Sequence, residues 1–166
     1  MESWINRKRG YKSGGREWVY GGKRHRIIIE QYLEACPEKG GLIDYKFFCF
    51  YGVAQILYVI ADRKMGERAA LGIFSAKDYT RLPVRRCDEN PLTREIPKPE
   101  KYEEMLGIAE KLSRPFPECR IDLYYVEEKI YFGEITFFDG SGYMSFEPDE
   151  FDFQLGALFV LPKRKT

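Results

Sequence analysis

Arg120, Asp122, Glu134 and Thr136 are the residues whose types and spacing could do chemistry. They lie within Cys119–Gly142, CRIDLYYVEEKIYFGEITFFDGSG. Alternating apolar and polar residues there predict two strands joined by a turn and closed by a Gly/Ser loop. Ile121, Leu123, Tyr125, Tyr131, Ile135 and Phe137 are expected on one face and the four polar residues on the other. Register decides whether those four meet. Glu127-Glu128 suits a two-residue hairpin turn poorly, because that turn wants residues at ease with positive φ. A three-residue loop at Glu127–Lys129 is expected instead, with Asp122 opposite Glu134 and Arg120 opposite Thr136. Two opposed carboxylates repel, so a positive group belongs between them. Mg²⁺ is one candidate, since it takes carboxylate oxygens and keeps room for water and phosphate. Arg120 with a nearby lysine is the other, as on an ordinary charged strand face. Spacing alone leaves both open.

The elements that must position these residues can be read in chain order. Arg26–Leu33, RIIIEQYL, is β-branched and predicts a buried strand. Asp44–Tyr51 and Ala54–Ala61 predict a hairpin turning at Gly52. Lys46 shares its strand face with Asp44 and Phe48, and either reaches a ligand or pairs with the neighbours of Asp44. Ala69–Phe74 is a weaker strand, and Lys77–Lys98, rich in Arg and Pro, reads as an ordered loop. A helix is expected from Pro99, with Tyr102, Met105, Leu106, Ala109 and Leu112 as its apolar stripe, ending at Pro115. Glu147–Phe159 predicts a short amphipathic helix. The pattern is that of an α+β domain, an antiparallel sheet with packed helices.

Composition narrows the classes. The 166 residues suit one domain with a proper core. Met1–Arg26 holds eight Lys/Arg against two Glu, a balance of +6, so with +1 overall the remainder carries −5. A basic arm at 1–25 followed by a folded unit at 26–162 is expected, the arm meeting an anionic partner or covering its own acidic fold. The four cysteines are scattered, without a CxxC pair, and His25 is the one histidine, which excludes a zinc site of ordinary spacing. Lys12-Ser13-Gly14-Gly15 lacks the spacing of a Walker phosphate loop. No signal peptide or apolar run of membrane length is read, so a cytoplasmic protein without a membrane span is expected.

REWVY (Arg16–Tyr20), RIIIEQYL, DYKFFCFYG (Asp44–Gly52), ADR (Ala61–Arg63), the PKPEKYEEMLGIAEKLS helix and RIDLYYVEEKIYFGEITFFDGSG run in order through nearly the whole chain. In these segments the chain resembles the TupA-like ATP-grasp family, associated with teichuronopeptide or polysaccharide biosynthesis, and more narrowly the C-terminal lobe of its ATP-grasp domain. The resemblance implies an ATP-dependent carboxylate–amine ligase using ATP and Mg²⁺, with a nucleotide and a small-molecule or polymer carboxylate as substrates. Glu30 and the backbone at Tyr32 and Leu33 would meet adenine, Asp44 the ribose and Lys46 the phosphates. Asp122 and Glu134 match the two metal-binding acids, with Thr136 where the family pattern of other ATP-grasp enzymes has asparagine. Arg120 matches the arginine that steadies the tetrahedral intermediate, and Ser141 and Gly142 belong to the loop that holds the acceptor. The upstream part of the family, with a loop that covers the phosphates, is not matched by Lys12 or Gly14-Gly15. The chain is therefore expected to be one lobe of a site, with a partner chain as one source of the other lobe. A rival reading is a non-catalytic polyanion-binding protein that uses the basic arm; nucleic acid is not the expected partner.

Overall fold

The computed structural model describes residues 27–34, 36–64 and 66–160. The expected basic arm at 1–25 and the Lys12–Gly15 stretch lie outside them. The fold is α+β. Among the described residues eight strands form in chain order: β1 (Asp44–Phe50), β2 (Val53–Ala61), β3 (Ala70–Ser75), β4 (Arg85–Arg86), β5 (Asn90–Pro91), β6 (Glu118–Val126), β7 (Lys129–Thr136) and β8 (Phe146–Glu147). Among the described residues two helices accompany them, α1 (Tyr102–Ser113) and α2 (Glu150–Leu158). Six strands make the main sheet in the order β5-β3-β2-β1-β6-β7, and β4 pairs with β8 apart from it. Every pairing in the main sheet is antiparallel except that of β3 with the short β5.

The pleat of β1 explains the division of the sheet into two faces. Tyr45, Phe47 and Cys49 point one way and pack with Leu57, Ile121 and Leu123 beneath α1. Helix α1 meets them with Tyr102, Met105 and Ala109, which are buried, while Leu112 at the end of the expected stripe is exposed. Its first regular residue is Tyr102; Pro99 instead accepts the Tyr102 N–H through its carbonyl at 3.0 Å, one turn ahead of the helix. On the other face Phe48, Phe50, Ile56, Tyr58 and Ile73 form a second apolar cluster with Phe146 and Phe151. Only Phe151 of α2 is buried, and Phe153 is exposed.

Three expectations change. The run read as a buried strand at Arg26–Leu33 has no strand in its described part, 27–33. Ile27, Ile28 and Ile29 are 60%, 79% and 89% exposed. A β-branched run forms a strand only against a pleated neighbour, and no described strand pairs with this one. The stretch read as one loop at Lys77–Lys98 contributes β4 and β5.

The third change concerns the long hairpin. Its turn has two residues, with Val126 opposite Lys129, so the three-residue loop expected at Glu127–Lys129 is wrong. Glu127 and Glu128 take φ of 50° and 61°, the left-handed geometry that this turn requires, at about 1–2 kcal/mol each for residues with a Cβ. That turn alone would send Glu134 to the wrong face. A bulge between Ile121 and Leu123 restores it: Leu123 faces Phe132, yet Ile121 faces Ile135 and Arg120 faces Thr136. Two residues of β7, Gly133 and Glu134, thus oppose Asp122 alone. A Cβ on Gly133 would lie 3.0 Å from the Tyr124 ring and 3.1 Å from the Asp122 carbonyl, so glycine suits the bulge. Before the bulge the face assignment flips, and Ile130, not Tyr131, joins the core.

Candidate functional site

The cluster starts from register. Lys46 on β1 lies opposite Asp122 on β6, Phe48 opposite Arg120, and Asp44 opposite Tyr124. Thr136 on β7 lies across from Arg120 on its other side. Lys46, Arg120, Asp122, Glu134 and Thr136 therefore share one sheet face at the centre of three neighbouring strands.

Asp122 is 1% exposed. A buried carboxylate is tolerated only when paired and hydrogen-bonded, and here it is paired twice. Arg120 grips it with two parallel bonds, Nε to Oδ1 at 2.7 Å and Nη2 to Oδ2 at 2.8 Å, the fork geometry that suits a carboxylate. Lys46 Nζ forms an ion pair with Oδ2. The same Arg120 Nη2 donates to Glu134 Oε1 at 2.9 Å and to Thr136 Oγ1 at 3.0 Å. Its Nη1 donates to Asp139. Burial opposes the charge on Arg120, but the bond to Asp122 and the charges of Asp122, Asp139 and Glu134 outweigh it, so its pKa is raised. The positive group expected between the two acids is thus present within the chain. Lys46, expected to reach a ligand or to pair with the neighbours of Asp44, pairs with Asp122 on the adjacent strand.

Asp44 lies on the same face, further along β1, and is buried. Its Oδ2 accepts from Arg63 Nη2 at 2.6 Å. Burial and then Asp44 raise the pKa of the Tyr124 phenol. Ser141 and Gly142 belong to a turn, Asp139–Gly142, that follows β7 and brings Asp139 to Arg120. Gly140, Ser141 and Gly142 take φ of 52°, 56° and 76° in succession. Glu30, Tyr32 and Leu33 are not brought to the cluster: they lie in the segment 27–34, and among the described residues no hydrogen bond or ion pair links them to it. A cleft of about 920 Å³, which none of the three lines, opens on the helix-covered face. Glu34, Tyr45, Ile96, Lys98 and Tyr125 are among its lining residues, and those of the charged cluster are not.

Four residues of the site were missed. Arg86, on β4, binds Asp88 through Nε and Nη2, both at 2.7 Å, and reaches Asp139 Oδ2 with Nη1 at 3.5 Å. Asp139 is the acid that joins Arg86 to Arg120. Arg63 is the partner of Asp44. Glu118, two residues before Arg120 on the same strand face, has its carboxyl pushed up to about 7 by burial and then by Asp139, against the pull of Arg120. The available signal was the triplet Arg86-Cys87-Asp88, which repeats the Arg-x-Asp spacing of Arg120-Ile121-Asp122.

Chemically, this face offers the cations Lys46 and Arg120, the carboxylates of Asp122 and Glu134, the latter accepting from the Thr136 hydroxyl, and a turn of left-handed residues at its edge. Such a set stabilises negative charge that builds on oxygens. Among the described residues no group of three or more His, Cys, Asp or Glu is placed to hold a metal by itself, and no helix is long and apolar enough to cross a membrane. Comparison with known proteins gives one family model, TupA-like ATPgrasp, which matches residues 2–160. No curated protein and no solved structure is similar enough to match.

Proposed function

The chain belongs to the TupA-like ATP-grasp family, and on that premise we propose that residues 26–162 form the Mg-ATP-binding lobe of a carboxylate–amine ligase. The observation that carries this reading is the convergence of Lys46, Arg120, Asp122, Glu134 and Thr136 on one face of the sheet. In the reaction a carboxylate attacks the γ-phosphate of ATP to give an acyl phosphate, and an amine then displaces phosphate. Both steps gather negative charge on oxygen, so preplaced cations do most of the protein's work.

Lys46 and Arg120 are the cations assigned to the phosphates and to the tetrahedral intermediate. Both now neutralise Asp122, and an incoming polyphosphate competes with that carboxylate for them. Asp122, Glu134 and Thr136 would hold Mg²⁺. The residues fit an ion shared with phosphate, the usual setting for Mg²⁺, better than a closed protein cage. Asp122 already accommodates two positive groups, and Arg120 takes only Oε1 of Glu134, whose side chain is 61% exposed. Held there, the ion would supply positive charge against that of the phosphates. Asp44 is assigned to the ribose, the segment with Glu30, Tyr32 and Leu33 to adenine, and Ser141 and Gly142 to the acceptor. A second lobe, from a partner chain or from further sequence, would cover the phosphates. Cell-surface polysaccharide or teichuronopeptide synthesis, starting in the cytoplasm, is the setting we assign.

Calorimetry with Mg-ATP tests the reading. Asp122→Asn with Glu134→Gln should abolish measurable binding while the variant keeps a cooperative melt. Binding that survives both changes would sink the metal assignment. The charge balance of +6 at Met1–Arg26 favours a second reading, polyanion binding by that segment. Such binding would fall steeply with salt and depend on Arg7–Arg9, not on Asp122.

A further inference from the structure

Arg86 and Arg120 are built alike. Each is the first residue of an Arg-x-Asp triplet, and each spends Nε and Nη2 on the aspartate two residues on. Their side chains are largely buried, at 12% and 8% exposed. The nitrogen left over on each is Nη1, and both Nη1 atoms address one carboxylate: Arg86 reaches Asp139 Oδ2 at 3.5 Å, and Arg120 meets Asp139 Oδ1. Two guanidiniums fixed by their own aspartates therefore leave one donor each, facing the two oxygens of a single carboxyl group. Planar donors of this kind recognise carboxylates and phosphates by geometry as well as charge.

The group that occupies them comes from a turn unlike the strands around it. Asp139 opens the turn Asp139–Gly142, whose next three residues all take left-handed φ. Arg86 and Arg120 are instead seated on strands of two separate sheets. A rigid pair of cations is thus closed by a carboxylate on an irregular segment.

We propose that the paired Nη1 donors of Arg86 and Arg120 form the binding site for the carboxylate of the acid substrate, with Asp139 as its resident stand-in. Asp139 satisfies the two Nη1 groups until a substrate oxyanion takes its place, so neither is left without an acceptor. The acid would then lie on the same sheet face as Lys46, Asp122 and Glu134, where the phosphates of ATP are assigned. This inference rests on the ligase reading for the identity of the acid. The oxyanion site itself stands on the two arginines.

Two probes separate a carboxylate from a phosphoryl ligand: acetate and inorganic phosphate, each titrated into the full chain at constant ionic strength. Asp139→Asn removes the resident carboxylate while keeping its shape. If Asp139 fills the pair about nine-tenths of the time, acetate should bind about ten-fold more tightly to Asp139→Asn than to the unmodified chain. Adding Arg86→Ala should erase the gain. A gain for acetate, alone or with phosphate, supports the proposal. A gain for phosphate alone overturns the carboxylate assignment, and no gain in a folded Asp139→Asn variant overturns the site. Should that variant fail to fold, NMR of the unmodified chain decides. Acetate should shift the Arg86 and Arg120 side-chain N–H signals together with the Gly140 and Gly142 amides, and unmoved signals overturn the proposal. Mg-ATP binding is measured separately, so a failed ligase reading would show as absent ATP binding with acetate binding retained.

Discussion

The two faces of the central sheet are made from alternate residues of the same strands, yet they solve the problem of burial differently. In β1, Tyr45, Phe47 and Cys49 look toward α1, while Asp44 and Lys46 look away from it. In β6, Ile121 and Leu123 alternate with Arg120 and Asp122. On the helix side, stability comes from apolar area removed from water. On the other side, Asp122 and Arg120 are almost equally buried but are held by charge-assisted hydrogen bonds. A buried ion network of this kind adds little stability over an apolar core of the same volume. Its presence next to an apolar cluster on the same face is a reason to look there for function, since that face could have been completed with apolar side chains.

The comparison is broken most directly at Phe47, which is fully buried beneath α1. Phe47→Ala should lose about 3–5 kcal/mol, as buried aromatic truncations do, read by denaturant unfolding. The loss should be the same at low and high salt. A loss that changed with salt would mean that the two faces are coupled, not independent.

On the opposite face the corresponding cut is Lys46→Met. Asp122 keeps Arg120 but loses one of its two cations, and an incompletely satisfied buried acceptor costs about 1–3 kcal/mol. The expected loss is smaller than at Phe47, with a much larger effect on nucleotide binding. Denaturant unfolding and Mg-ATP calorimetry on one sample check both halves. If stability fell as far as for Phe47→Ala while ATP binding stayed normal, the network would be structural.

What could be read from the sequence follows the same division. The apolar faces of β1, β2 and α1 show as period two and as three-to-four spacing, because burial leaves its period in the residue types. The grouping of Arg120, Asp122, Glu134 and Thr136 was legible for the wrong reason. The three-residue loop expected at Glu127–Lys129 does not form, and the bulge at Gly133-Glu134 supplies the same shift of one residue. Nothing local announces a left-handed Glu127-Glu128 turn, since glutamate has no preference for it, and tertiary pairing of β6 with β7 overrides the local cost. The run RIIIEQYL misled for the converse reason: its residue types favour a strand, but pairing is not written in the run itself. Arg86 and Asp139 were invisible because long-range contacts bring them together, 53 residues apart, and only the repeated Arg-x-Asp spacing hinted at a shared design.

The boundary between the two strategies is Glu118, on the charged face at the start of β6. Burial and Asp139 push its carboxyl up to about 7 from the ordinary 4.5, and Arg120 only partly offsets them. In the unfolded chain the proton leaves at the lower value. Between the two values the folded protein binds more protons than the unfolded chain, so stability falls as pH rises through that window and is flat above it. Glu118→Gln, which stays neutral throughout, should match the unmodified chain at about pH 4 and exceed it by about 1–2 kcal/mol at about pH 8, a figure discounted for the carboxyl's partial contact with solvent. Thermal unfolding across that range reads the difference. An equal gain at both ends would come from packing, not ionisation. No gain would mean that Arg120 neutralises Glu118 as fully as it does Asp122, and the charged face would then begin one residue pair earlier than burial alone suggests.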